Sequence, residues 1–244
     1  MAGLLSLLYG LAAYMLFLGT FLYTVGFTGD FAVSKTIDSG VAGPIGQAVA
    51  VNLALLSIFA AQHSIMARRG FKRMWTRIVP EALERSTYVL AATLALMLML
   101  WQWQPIPEPI VWKVEGDAAR TAMWAVFALG WSLLLLSTFL LNHFELFGLR
   151  QVVSRFTGEP IPESEFRTPL LYRYIRHPLY FGFLLTFWSV PTMTAGHLLF
   201  SLGATGYILL GIWFEERDLV QQFGDTYRRY RDQVGMLVPW RKMS

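Results

Sequence analysis

RYIRHPLYFGFLLTFWSVPTMTAGHLLFSLGATGYILLGIWFEERDLVQQF, residues 173–223, is the stretch that decides the fold. Two apolar runs, Pro178–Met193 and His197–Phe214, are joined by a short Thr194-Ala195-Gly196 turn. Ionisable residues stand at both mouths, Arg176-His177 on entry and Glu215-Glu216 on exit. A helix needs roughly 20 apolar residues to cross about 30 Å of hydrocarbon, so these two runs read as a slightly short membrane hairpin.

The rest of the chain agrees. Further apolar segments run over Leu4–Phe27, Pro44–Met66, Tyr88–Trp103 and Ala118–Leu141. Among 244 residues, 55% are hydrophobic and only 15% charged. Mean hydropathy is +0.45. Soluble domains carry about 25% charged residues, so the composition favours a membrane protein. The expected fold is an all-α integral membrane bundle of about six transmembrane helices, five strong and one weaker, with a cytoplasmic cofactor pocket. It reads as a single integrated domain in two parts, residues 1–143 with the N-terminal spans and residues 144–244 with the loop, hairpin and tail.

Charge placement sets the orientation. Arg68, Arg69, Lys72, Arg73 and Arg77 crowd one loop, opposed by Glu81. By the positive-inside rule that loop is cytoplasmic, which puts both termini there too. No basic run interleaved with polar residues suggests nucleic acid. The absence of cysteine excludes disulfides, thiolate nucleophiles and thiolate-bound metals. Residues 144–176, broken by Gly158, Pro160, Pro162 and Pro169, read as one long loop of the kind that forms lids. The tail 215–230 has helical spacing that places Leu219, Phe223, Tyr227 and Tyr230 on one side.

Polar groups inside spans are costly, and each is a candidate for function. Asn52 and His63 are eleven residues apart, which returns them to nearly the same helix face. Asn52 alternatively glues helices together. Asn142, His143 and Glu145 end the fourth span, as a functional cluster or a helix cap. No histidines stand at i, i+3 or i, i+4, HExxH is absent, and no metal is expected.

Arg176-His177-Pro178 reads as a helix start, because proline needs no donor in the first turn. A helix N-terminus with Arg176 and Arg173 beside it suits a carboxylate. Glu215 and Glu216 suit an ammonium or a ribose hydroxyl, and Tyr174, Tyr180 and Tyr227 offer faces to a cation or a flat ring. Gly182, one turn into the helix, admits a ligand or a neighbouring helix close to the backbone. S-adenosylmethionine carries every matching group.

RHPLYFGF followed by EERDLVQQFGDTYRRYRDQVGMLVPW resembles the C-terminal signature of isoprenylcysteine carboxyl methyltransferase-type membrane enzymes. It departs in the spacing before Val238-Pro239 and in having Trp240-Arg241 where a second proline is usual. YTVGF, KTIDSG, AAQHSIMAR, RSTYVL and NHFELFGLRQV resemble the bacterial methanethiol S-methyltransferases, with their NnrU-like N-terminal half. The resemblance implies S-adenosylmethionine as methyl donor and by motif position implicates His177, Pro178, Tyr180, Gly182, Glu215 and Glu216, with Tyr227 and Tyr230 at its later tyrosines. Arg176 joins this donor-binding set through its charge. The implied reaction methylates a small thiol, methanethiol, to dimethyl sulfide. A simple alkyl thiol is mostly protonated at neutral pH, so a base helps. His63 is the first candidate base, with His143 and Glu145 as the second. Asn52, Arg68 and Tyr14 are the candidate acceptor-side residues. A prenylcysteine carboxylate or lipid acceptor, or a non-enzymatic NnrU-like transporter or assembly factor, is the alternative.

Overall fold

In a computed structural model, which describes residues 1–161 and 166–239, the chain is an all-α membrane protein with very little sheet. Pro162, Trp240 and Arg241 of the sequence reading lie outside the described residues. The helices are α1 (Ala2–Gly29), α2 (Ile45–Ala67), α3 (Arg69–Trp75), α4 (Glu81–Gln102), α5 (Asp117–Leu141), α6 (His143–Leu146), α7 (Leu149–Thr157), α8 (Pro178–Trp188), α9 (Ala195–Phe223) and α10 (Asp225–Gln233). A 3-10 turn covers Leu170–Arg173, and two short strands, β1 (Ile110–Lys113) and β2 (Thr192–Thr194), pair with each other. Among the described residues five helices, α1, α2, α4, α5 and α9, are long and apolar enough to cross a membrane.

The chain forms two compact units interleaved along the sequence: residues 1–111, 142–161 and 193–200, and residues 112–141, 166–192 and 201–239. In the first unit, α1 and α2 pack on α4, and α7 packs on α1 and α4. Apolar side chains gain little by leaving lipid for each other, so close approach through small residues holds such helices together. Gly10 shows this: a Cβ there would lie 2.5 Å from Cγ2 of Val152 on α7. The buried hydroxyls of Thr20, Thr24 and Thr28 bond the carbonyls four residues back, at 2.8, 2.8 and 2.9 Å. These donors are thereby satisfied without water.

In the second unit α5 packs along α8 at two facing glycines. A Cβ on Gly182 would lie 2.7 Å from the Gly130 carbonyl oxygen, and a Cβ on Gly130 2.8 Å from that of Gly182. Gly182 therefore admits a neighbouring helix. The antiparallel α8 and α9 are tied at one end by Trp188 Nε1, which donates to Thr205 Oγ1 at 3.0 Å, and by Ser201 Oγ, which donates to the Phe187 carbonyl at 2.8 Å.

Three local expectations are corrected. The run after Pro178 stops being helical at Trp188, after 11 residues, and then enters β2, so it is too short to cross by itself. The following helix is not short: α9 runs 29 residues and carries Glu215-Glu216 two turns before its end. Charge after Phe214 marks the end of apolar surface, whereas the backbone stays helical until Gly224, at φ 55, breaks it. Residues 144–176 are not a plain loop, since they hold α6, α7 and the 3-10 turn. Gly148 and Gly158, both left-handed, bracket α7 and let it start and stop within nine residues.

Candidate functional site

In the second unit the RHP segment and the acidic pair meet. Pro178 opens α8 with His177 as its N-cap, as the sequence predicts. His177 is buried, and its Nε2 lies 3.0 Å from Glu216 Oε1. Its Nδ1 lies 3.7 Å from Glu215 Oε2. Arg176 Nε donates to the same Glu216 oxygen at 2.8 Å. The sequence reading treats Arg176 and the glutamates as anchors for opposite ends of a ligand; the structure joins Arg176 and Glu216 to each other. Glu215, the more exposed carboxylate, takes a hydrogen bond from Tyr180.

A strap closes this cluster. The chain after α10 lies parallel to the RHP segment through an Ile175–Gly235 bridge, with the Arg176 amide donating to Gly235 at 2.9 Å and the His177 amide to Met236 at 3.2 Å. Arg176 Nη1 also donates to the carbonyls of Arg231 and Val234. The Tyr230 hydroxyl bonds the Tyr172 carbonyl, and burial pushes its phenol up to about 12. Phe166, Tyr227 and Tyr230 form an aromatic group, with ring centroids 5.4 to 5.9 Å apart. Tyr227 is 1% exposed, and its buried hydroxyl has no hydrogen-bond partner among the described residues. A buried orphan hydroxyl costs free energy unless something fills its valence, which makes Tyr227 OH a fitting contact for a polar ligand.

The first unit holds the acceptor-side candidates in two tyrosine–histidine pairs. Tyr88 OH lies 2.8 Å from His63 Nε2, and Tyr14 OH lies 2.8 Å from His143 Nε2. His143 is 3% exposed and ringed by Tyr14, Phe144 and Phe147. Burial holds its imidazole below the ordinary histidine range. Asn142, at φ 91, breaks the α5 path and starts α6. Glu145 Oε2 accepts from Asn142 Nδ2 at 2.7 Å and Arg150 Nη1 at 2.9 Å. Asn52 is fully buried, accepting from the Gln104 amide and donating to its carbonyl, both at 2.8 Å. Arg68 caps α2 in an extended conformation. No group of three or more His, Asp or Glu poised for a metal occurs among the described residues.

Sequence reasoning missed Tyr88 and the carbonyls of Arg231 and Val234. Tyr88 stands 25 positions from His63, a separation no helical period reveals. The carbonyls carry no side-chain signal at all.

The NnrU protein family matches residues 52–238. The chain is 57% identical over 236 residues to a methanethiol S-methyltransferase of Mycobacterium tuberculosis, covering 97% of this chain and 96% of that one. It is 51% identical over 239 residues to methanethiol S-methyltransferase 1 of Bradyrhizobium diazoefficiens, covering 98% and 83%. Human nurim is 32% identical over 178 residues, covering 70% and 68%. No solved structure matches.

Proposed function

The chain belongs to the NnrU protein family, and from that membership and its end-to-end similarity to methyltransferases we propose that it is a membrane S-adenosylmethionine-dependent thiol methyltransferase. The reaction is methylation of methanethiol to dimethyl sulfide at the cytoplasmic side of the bilayer. The observation that carries this reading is the 57% identity spanning 97% of the chain. The buried Arg176–His177–Glu216 cluster supports it, because a transporter or assembly factor gives no reason to sink these charges beside an orphan tyrosine hydroxyl.

When bound, the donor supplies an electrophilic methyl on a positively charged sulfur. The chain's own work is to hold, orient and deprotonate. Glu215 offers a carboxylate to an ammonium or ribose hydroxyl, and Tyr227 offers its hydroxyl. Arg176, His177 and Glu216 brace each other and fix the first turn of α8, whose free amides suit a carboxylate. Asn52, Arg68 and Tyr14 belong to the acceptor side. A histidine would take the thiol's proton, and the bound donor would supply the methyl that the resulting thiolate accepts. His63 is the first candidate for that base, and His143, with Glu145 behind it, is the second. A neutral imidazole is needed for that step, and burial favours one at His143. In-line positioning of two small reactants supplies much of the rate.

The test is purified protein with methanethiol and methyl-labelled S-adenosylmethionine, scored for labelled volatile dimethyl sulfide. Absence of both product and donor binding overturns the reading.

A further inference from the structure

Residues 69–80, between Arg68 and α4, hold none of the residues placed in the methyl-transfer site, and their surface is unusual. Arg68, extended at φ −72 and ψ 139, turns the chain off the axis of α2. The short α3 and the turn after it then show two faces. Inward, Phe71 and Trp75 stack with ring centroids 5.7 Å apart. Outward, Arg69, Arg73 and Arg77 recur every fourth residue and are all exposed. None of the three makes an ion pair with a carboxylate among the described residues. Beside that row stand Met74 at 53% exposure and Ile78 at 76%. Water hydrates an arginine row well but leaves the Met74 and Ile78 side chains bare beside it. A surface of phosphate lying over acyl chain suits both.

We propose that α3 and its following turn form a binding surface for the anionic phospholipid headgroups of the bilayer that surrounds α2 and α4. Arginine forks match phosphate oxygens two at a time, and Met74 and Ile78 enter the acyl boundary beneath. The site also has a structural consequence. Lys72, between the exposed arginines, lies 3.9 Å from Glu84 in the first turn of α4. The next residue, Arg85, sits 5.0 Å over the ring of Tyr88, whose hydroxyl pairs with His63. Headgroups that fix α3 thereby steady the helix that positions the Tyr88–His63 pair.

The experiment requires no assumption about the reaction. The full-length protein is equilibrated with equimolar phosphatidylglycerol and phosphatidylcholine vesicles and extracted in mild detergent, and the retained lipid is quantified. Wild type is expected to retain phosphatidylglycerol in preference, and the Arg69→Gln, Arg73→Gln, Arg77→Gln triple variant to lose that preference, by about fivefold per arginine removed. The corresponding triple lysine variant keeps most of it. Equal retention of both lipids by wild type, or an unchanged preference in the glutamine variant, overturns the proposal. Should the variants fold poorly, wild type alone decides. Its preference falls between low and 1 M salt if arginine–phosphate contacts carry it, and a salt-independent preference overturns the proposal.

Discussion

Glu216 Oε1 receives two cationic or hydrogen-bonding partners at once, Arg176 Nε at 2.8 Å and His177 Nε2 at 3.0 Å. One carboxylate oxygen thus anchors both residues at the mouth of α8. Glu216→Gln leaves the half-buried Arg176 charge without this counterion, at a cost of about 1–3 kcal/mol. The variant should melt several degrees lower in detergent and bind the methyl donor at least tenfold more weakly. Calorimetry and thermal unfolding on the same sample check this. Unchanged donor affinity removes Glu216 from the donor site.

Tyr227 offers the opposite signature. Its hydroxyl has no partner within the described protein, so Tyr227→Phe removes a buried orphan group and should leave the empty protein at least as stable as wild type. Donor affinity should nevertheless fall by up to about tenfold, one hydrogen bond's worth. A variant with unaltered donor affinity shows the hydroxyl to be packing alone.

The two tyrosine–histidine pairs separate by pH dependence. A base whose conjugate acid lies below the usual histidine value gives kcat/KM an acid limb displaced to lower pH, because activity requires the neutral ring. His143 is held low by burial, so the acid limb of wild type should lie at lower pH than an ordinary histidine would give. His143→Ala should cost about 100-fold or more if this ring takes the proton. His63→Ala is the matched measurement, and whichever substitution leaves both rate and acid limb intact excludes that ring.

Asp38 in the α1–α2 loop accepts from Thr194 Oγ1 at 2.6 Å, and burial raises its carboxyl from 3.8 to about 6. A carboxyl raised on folding stabilises the native state fully below its unfolded value and loses that contribution as pH rises through the folded one. Thermal stability should therefore decline between pH 4 and 6 through this group. Asp38→Asn keeps an oxygen for Thr194 and should flatten that part of the curve. An identical slope in the variant rules Asp38 out as its source.

Gly182→Val drives side-chain carbon into the backbone of α5, since even a Cβ would approach the Gly130 carbonyl to 2.7 Å and the Leu134 amide to 2.9 Å. Backbone cannot swing aside, so a loss of about 1–3 kcal/mol is expected. Unfolding in detergent checks it, and wild-type stability shows that the helices part without cost.

The sequence made the membrane class and five crossing helices legible because lipid demands long apolar runs and closed backbone bonding. Pro178 announced its helix start through the missing donor. Charge misled where it stood on a helix that had left the apolar layer: Glu215-Glu216 read as a terminus, yet α9 continues to Phe223. Pairings at long separation, such as Tyr88 with His63 and Tyr14 with His143, leave no periodic trace. The Arg176 links to the Arg231 and Val234 carbonyls were illegible for a different reason, since every residue has a carbonyl.

The two ties between α8 and α9 impose a counting rule. Eleven positions separate His177 from Trp188, and eleven separate Thr205 from Glu216. The antiparallel helices therefore span equal rises, about 16 Å, between a polar clasp at each end. One residue inserted into either helix between the clasps turns everything beyond it by about 100° and carries one partner off its face. Along this stretch the chain tolerates exchange of side chains far better than any change of length.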